Sequence, residues 1–297
     1  MKRRRGVLLL NLGSPDAPTP RAVRRYLREF LGDARVLDVP APARAVLLNL
    51  TILPFRPRRS AAAYRKVWTG EGSPLVANGH ALREALQKEL GEDFAVELAM
   101  RYGVPAIGPA LDRLVAADVE RIRVVPLFPQ YASASTGSAL EAVYREAGPR
   151  WNVPALDVHG PFYAEPGFLG ALARVARELP ETQWPDHLLI SFHGLPERQV
   201  RRSDPTGEHC LASSACCDVL GPMNRFCYRA HCVATARGLA VICPSFVADC
   251  LETLEEIGIR ARAQWQALGG EELVLIPCLN AHPLWVEVLA GWIRAAS

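Results

Sequence analysis

The stretch Leu188–Pro196, LLISFHGLP, narrows the possible folds more than any other in the chain. Four apolar residues in five (Leu188, Leu189, Ile190 and Phe192) predict a buried strand, and Pro196 closes the His-Gly turn that follows. At the carboxyl end of a parallel strand, His193 would stand at the mouth of a ligand cleft. A neutral imidazole there accepts a proton or ligates a metal near pH 7. The same plan occurs at Val7–Leu12, followed by Gly13-Ser14-Pro15, so two similar halves are expected. A second pair agrees: Ile122–Phe128 runs into Pro129-Gln-Tyr, and Val241–Cys243 runs into Pro244-Ser-Phe.

Helical patterns lie between these strands, over Arg21–Phe30, Ala81–Leu90, Ile107–Ala117 and about 139–147. Such alternation predicts an α/β fold with parallel sheets wrapped by helices. The Pro- and Gly-rich stretch Asn152–Gly170 marks a boundary between lobes 1–155 and 156–297, and Pro283–Ala296 reads as an apolar helix clasping the first lobe. The segment Ala45–Phe55, within a lip at about 45–60, is strongly apolar and is followed by Arg56, Arg58, Arg59, Arg65 and Lys66. It suits a lip that dips into a membrane surface or grips a flat apolar ligand, or equally a buried helix with a solvated basic end.

A chain of 297 residues, 49% apolar, is long enough for two lobes of ordinary size, and no apolar run approaches the ~20 residues of a membrane span. Met1-Lys-Arg-Arg-Arg before VLLLNL superficially resembles a signal peptide, but no small-x-small cleavage pattern follows. It reads as the first strand of a cytoplasmic protein, in which eight cysteines are not expected to form a disulfide framework. Five of them crowd into C-x5-C-C-x9-C-x4-C: Cys210, Cys216, Cys217, Cys227 and Cys232. Thiolates gather this way for zinc or iron–sulfur ligation. The absence of any C-x2-C pair in the segment favours an iron–sulfur cluster, with four of the five as ligands because adjacent Cys216 and Cys217 do not easily both ligate.

After Pro244 the chain offers Asp249, Glu252 and Glu256, which share one face of a helix starting near residue 248, with Glu255 beside them. Carboxylates on one stripe repel one another unless a cation or proton intervenes. Hard divalent ions favour them, although an acidic first turn also suits the helix dipole. A histidine at one strand end facing an acidic stripe at another suits proton removal coupled to metal handling.

With these residues in view, the chain resembles the ferrochelatases, enzymes that insert ferrous iron into a porphyrin. The motifs are LLLNLGSPDAP near the start, YRKVWTGEGSPL at 64–75, MRYGVP at 100–105, PLFPQYASASTGS at 126–138, SFHGLPERQVRRSDP at 191–205, CPSFVADCLETLEEI at 243–257 and PCLNAHPLW at 277–285. The resemblance implies two similar doubly wound, Rossmann-like lobes with the porphyrin between them, and formation of haem from protoporphyrin IX and Fe2+. It implies that His193 takes pyrrole protons or holds the metal, with Glu252 as acidic partner and Asp249 and Glu256 on the metal or proton path. Tyr64, Ser73, Arg101, Tyr102 and Phe246 match macrocycle contacts, and Leu12 stands where an apolar residue resembles the protoporphyrin-using branch. Cys250 replaces a histidine found in many members. Segment 208–232 is similar to the internal cysteine segment of bacterial members carrying a [2Fe–2S] cluster. The partners implied are protoporphyrin IX and Fe2+, with peripheral membrane contact and no nucleic acid. Gly238-Leu-Ala runs directly into VICPSF where members have a further strand and helix, so a unit of the second lobe is expected to be missing. Its loss leaves open a porphyrin-binding relative with reduced turnover. A sirohydrochlorin chelatase would bring a second histidine where Glu252 stands.

Overall fold

The computed structural model describes residues 4–179, 189–238, 246–269 and 273–296. A four-stranded, wholly parallel sheet in the order β2-β1-β3-β4 carries the first half. Its strands are β1 (Arg4–Ser14), β2 (Phe94–Gly103), β3 (Val119–Pro126) and β4 (Ala155–Val158). The helices are α1 (Pro20–Gly32), α2 (Ala41–Val46), α3 (Leu53–Val67), α4 (Pro74–Leu90), α5 (Ile107–Ala116), α6 (Ser138–Ala147) and α7 (Pro166–Arg177). In the second half come α8 (Glu197–Arg202), α9 (Tyr228–Gly238), α10 (Arg262–Ala267) and α11 (Pro283–Ala295). The π-helical segments Leu47–Ile52, Ser133–Gly137 and Glu252–Ala261 adjoin these elements.

β1 is apolar along its length because it lies inside the sheet with both faces covered. Val7 and Leu9 face one layer, where Leu82 and Leu86 of α4, Phe168 and Leu172 of α7, and Trp285 and Leu289 of α11 meet. Leu8 and Leu10 face the other, against Leu111 and Leu114 of α5 and Val143 of α6. The strand period of two thus sorts consecutive residues to opposite layers. Helix α11 packs on α4: Trp285 and Leu289 share a core with Leu82 and Leu86, and Arg294 pairs with Glu89 at 3.1 Å, while Trp285 is also fully buried against Phe162 and Phe168. Strands β1 and β2 end side by side at Gly13, with φ 112°, where an added Cβ would sit 1.9 Å from the Tyr102 carbonyl oxygen.

Two expectations need correction. Residues 189–196 form no strand: Leu189 is 79% exposed, and Ile190 and Phe192 are only half-buried. A strand needs a neighbour to take its backbone hydrogen bonds, and among the described residues the second half contributes no sheet of its own. Residues 273–279 likewise run without a ladder. The expected strand Val241–Cys243, like Leu188, lies outside the described residues. Strand β2 passed unnoticed as a strand, because its residues read first as part of a motif.

The apolar lip splits between its two readings. Leu48 and Leu53 join Tyr26 and Leu27 in a core cluster, whereas Val46, Leu50 and Phe55 are 57%, 69% and 74% exposed.

Candidate active site

The carboxyl ends of β1 and β3 open into a cavity of about 370 Å³. Strand ends in a parallel sheet point unpaired backbone and side chains at such a crevice. Its floor is Leu12 and Ser14 at the end of β1, with Leu127, Phe128 and Gln130 after β3. Helix α1 adds Tyr26 and Phe30, α3 adds Arg56 and Tyr64, and the start of α4 adds Ser73. The opposite wall carries His193, Phe246, Cys250, Glu252 and Glu256. The structure therefore gathers His193, Glu252, Glu256, Leu12, Tyr64, Ser73 and Phe246 around one space.

His193 is exposed and makes no hydrogen bond to another described residue. Its loop is anchored by α8, where Arg198 grips Asp38 at 2.5–3.0 Å and Gln199 adds a bond of 3.2 Å. The Arg198 guanidinium holds the Asp38 carboxyl below its ordinary value. Burial pushes the Tyr64 hydroxyl far above the ordinary tyrosine value, and the Glu252 charge adds to it. Tyr26 is raised by burial, by Tyr64 and by Glu252, and donates to the Gly13 carbonyl at 3.3 Å. Both phenols thus stay protonated. Burial, then Glu252, likewise keeps Cys250 a neutral thiol.

The acidic stripe is rearranged. The helix beginning at Leu251 winds as a π-helix from Glu252, with hydrogen bonds to i+5 and more than four residues per turn. Glu256, four residues on, therefore returns nearly in line with Glu252, while Glu255 swings aside. Glu255 is buried and bridges Lys66 of α3 at 3.0 Å and Arg260 at 2.5 Å. Burial alone would raise its carboxyl, but these two cations hold it low.

Asp249 does not line the cavity, contrary to its expected place on the metal path. It precedes the helix, so its side chain accepts from Asn280 Nδ2 at 2.8 Å, Thr253 Oγ1 at 3.1 Å and the Cys278 N–H at 3.3 Å. Arg101 and Tyr102 stand outside the lining of the cavity as well. Arg101 reaches Asp33 at 2.7 Å and Ser138 Oγ at 2.7 Å, and the Tyr102 hydroxyl donates to Asp33 at 2.9 Å. Burial would raise the Asp33 carboxyl, but hydrogen bonds from Ser138, the Arg35 N–H and Tyr102, with the Arg101 charge, lower it. The cation that does line the cavity, Arg56, was read only as part of the basic flank of the lip. Its spacing of eight residues from Tyr64, two turns along α3, was the signal that places both on one face.

Among the cysteines, Cys210, Cys216, Cys217 and Cys227 are buried in one cluster, and Cys232 is buried on α9. Asp204 organises the approach, accepting the backbone N–H groups of Thr206, His209 and Cys210 at 2.7–2.9 Å. Cys216 and Cys217 hold their sulfurs 3.7 Å apart, and Arg229 Nη1 reaches Cys216 Sγ at 3.3 Å. Burial pushes Cys232 up to about 12. Among the described residues no group of three or more His, Cys, Asp or Glu side chains stands in a metal-holding arrangement.

The ferrochelatase family model matches residues 4–240 and 220–297. The chain belongs to the ferrochelatase family. It is similar to the ferrochelatase of Azotobacter vinelandii, at 44% identity over 97% of this chain and 98% of that protein. Ferrochelatases of Coxiella burnetii (strain CbuG_Q212) and Legionella pneumophila (strain Paris) are 42% and 39% identical over 96% of the chain, covering 92% and 97% of their own lengths. The Coxiella alignment runs over 329 residues against the chain's 297, so that ferrochelatase carries positions this family member lacks. The junction expected to mark the gap, after Gly238-Leu-Ala, falls at residues 239–245, outside those described.

Proposed function

We propose that this chain is a ferrochelatase, a lyase-type metal chelatase that inserts Fe2+ into protoporphyrin IX to form haem in the last step of haem biosynthesis. The observation that carries the reading is the convergence of His193, Glu252 and Glu256 on one cavity at the strand ends of a ferrochelatase-family chain. Porphyrin metallation displaces two pyrrole protons, and His193 supplies a base with no competing hydrogen bond among the described residues. Glu252 and Glu256 on the same wall attract the divalent substrate metal and the released protons. Arg56 suits a propionate carboxylate as a charge-assisted donor. Leu12, Phe30 and Phe246 offer apolar surface to the macrocycle, and the apolar Leu12 favours protoporphyrin.

The two lobes are proposed at 1–155 and 156–297, with β4 and α11 tying the second to the first lobe's sheet. The exposed Val46, Leu50 and Phe55, followed by arginines, support peripheral contact of a cytoplasmic protein with a membrane. No helix among the described residues is long and apolar enough to cross one. A [2Fe–2S] cluster is proposed for the cysteine segment. Cys210, Cys227 and one of Cys216 and Cys217 are already buried in one cluster and would supply three thiolates, with Cys232, buried on α9, as the fourth. Ligation would tie down a stretch whose Ala212, Ser213, Ser214 and Ala215 offer little core. The positions missing relative to the Coxiella protein favour a second reading, a porphyrin-binding relative with reduced turnover.

One preparation tests these together. The purified chain should metallate protoporphyrin IX with Fe2+, and His193→Ala should lower the rate ~10²–10⁴-fold while porphyrin binding persists. The parent should carry about two irons per chain with visible charge-transfer absorption. Binding without turnover in the parent establishes the second reading, and a colourless protein with one zinc rejects the cluster.

A further inference from the structure

Helix α9 carries a buried histidine that the chemistry above does not use. His231 is fully buried, and its two ring nitrogens are spent on opposite sides. Nδ1 accepts from the Tyr131 N–H at 3.1 Å, and Nε2 donates to the Arg225 carbonyl at 2.9 Å, an arrangement that sets the neutral tautomer. The ring stacks on Tyr163 with centroids 3.7 Å apart. One turn later Thr235 Oγ1, also fully buried, accepts from Gln130 Nε2 at 3.1 Å.

Residues 130–135 are the wall that these bonds hold. Gln130, Ala132, Ala134 and Ser135 face the cavity described above. Tyr131, Ala132 and Ser133 face a second cavity of about 680 Å³ on the other side. The wall continues into a π-helical turn, Ser133–Gly137, a rare winding that occurs mostly as single turns, often at functional sites. Arg35 Nη1 also holds Ser133 Oγ at 2.9 Å, and the Tyr131 ring packs against Phe226 with centroids 5.3 Å apart.

We propose that His231 is a positioning residue that sets the wall between the two cavities through the Tyr131 N–H and so makes substrate binding depend on the cysteine-rich segment. His231 lies beside Cys232 and one turn after Cys227, so whatever orders those cysteines also orders the imidazole. The inference rests on the cavity being the porphyrin site.

Two variants separate the ring's two bonds. In His231→Asn the amide oxygen falls where Nδ1 was and still accepts from Tyr131. In His231→Gln the longer amide reaches the Arg225 carbonyl and leaves the Tyr131 N–H without an acceptor. Protoporphyrin IX binding, followed by quenching of its fluorescence, should weaken about tenfold in His231→Gln and stay within about threefold of the parent in His231→Asn, the usual consequence of orphaning one buried donor. Amide hydrogen exchange over residues 130–137 should accelerate in the Gln variant and not in the Asn variant. Equal effects of the two variants on exchange, or no effect of Gln, overturn the proposal. A parent that fails to bind protoporphyrin rejects the porphyrin reading instead, while the exchange data still decide the role of His231.

Discussion

At the scale of single residues, two neighbouring glutamates divide between chemistry and support. Glu252 faces the cavity, and Glu255 is buried between Lys66 and Arg260. Glu252→Gln should cut the metallation rate by ~10²-fold or more and shift its pH profile, because it removes the charge and keeps the shape. Glu255→Gln should instead lower stability by about 2 kcal/mol, less than for a fully enclosed pair because both cations reach solvent. Its rate at saturating substrate should stay close to the parent's. Melting temperature and turnover on the same samples check both, and a Glu255→Gln that kept its stability but lost its rate would exchange the two roles. Arg101 teaches the same lesson in reverse. It sits in a family motif, yet its guanidinium bonds Asp33 through Nη2 and Ser138 through Nε.

At the scale of elements, the acidic helix depends on the loop that precedes α11. Asp249 and Asn280 exchange two hydrogen bonds, from the Asp249 N–H to Asn280 Oδ1 and from Asn280 Nδ2 to Asp249 Oδ2, each 2.8 Å. The family motif PCLNAHPLW thus reaches the cavity only through its grip on the start of the Glu252 helix. Asn280→Ala removes a donor from a buried carboxylate and should destabilise by about 2 kcal/mol. Thermal unfolding should register this more clearly than the metallation rate of the folded protein. A lost rate with an unchanged melting temperature would place Asp249 back on the metal path. The π winding of the same helix is an element-scale effect as well. It separates Glu255 from Glu252, which an α-helical reading sets almost side by side.

At the scale of the whole molecule, acid should loosen the packing of the C-terminal helix on the first lobe. His159 stacks on Trp292 at 4.7 Å, its Nδ1 lies 2.9 Å from Arg123 Nη2, and Asp157 stands nearby. Burial, then the Arg123 charge, pushes its pKa from 6.5 down to about 4. The unfolded chain therefore binds a proton between these values that the folded chain refuses, so stability rises with pH across that window. It should be complete above about pH 6.5 and fall progressively towards pH 4. His231, pushed to about 4 by burial, contributes with the same sign. A His159→Gln variant should show a shallower loss of melting temperature over that range, and an unchanged slope would exclude His159 as a source.

Strands β1 and β3 and helices α1, α4, α5 and α6 were legible in the sequence, whereas β2 and β4 were not. An apolar run at Val7–Leu10 has one stable place in a parallel sheet, and the helical periods around it leave few ways to cover both faces. The residue types at the cavity were legible as a histidine and carboxylates that follow apolar runs, although the run before His193 forms no strand. Two outcomes were decided only by tertiary structure. Leu189–Phe192 has the composition of a buried strand, but a strand exists through its neighbours, and among the described residues it has none. Asp249, Arg101 and Tyr102 have the chemistry of site residues. Which polar group reaches a cavity and which is consumed by a buried partner depends on contacts across 31 to 105 positions of chain, which no local pattern encodes.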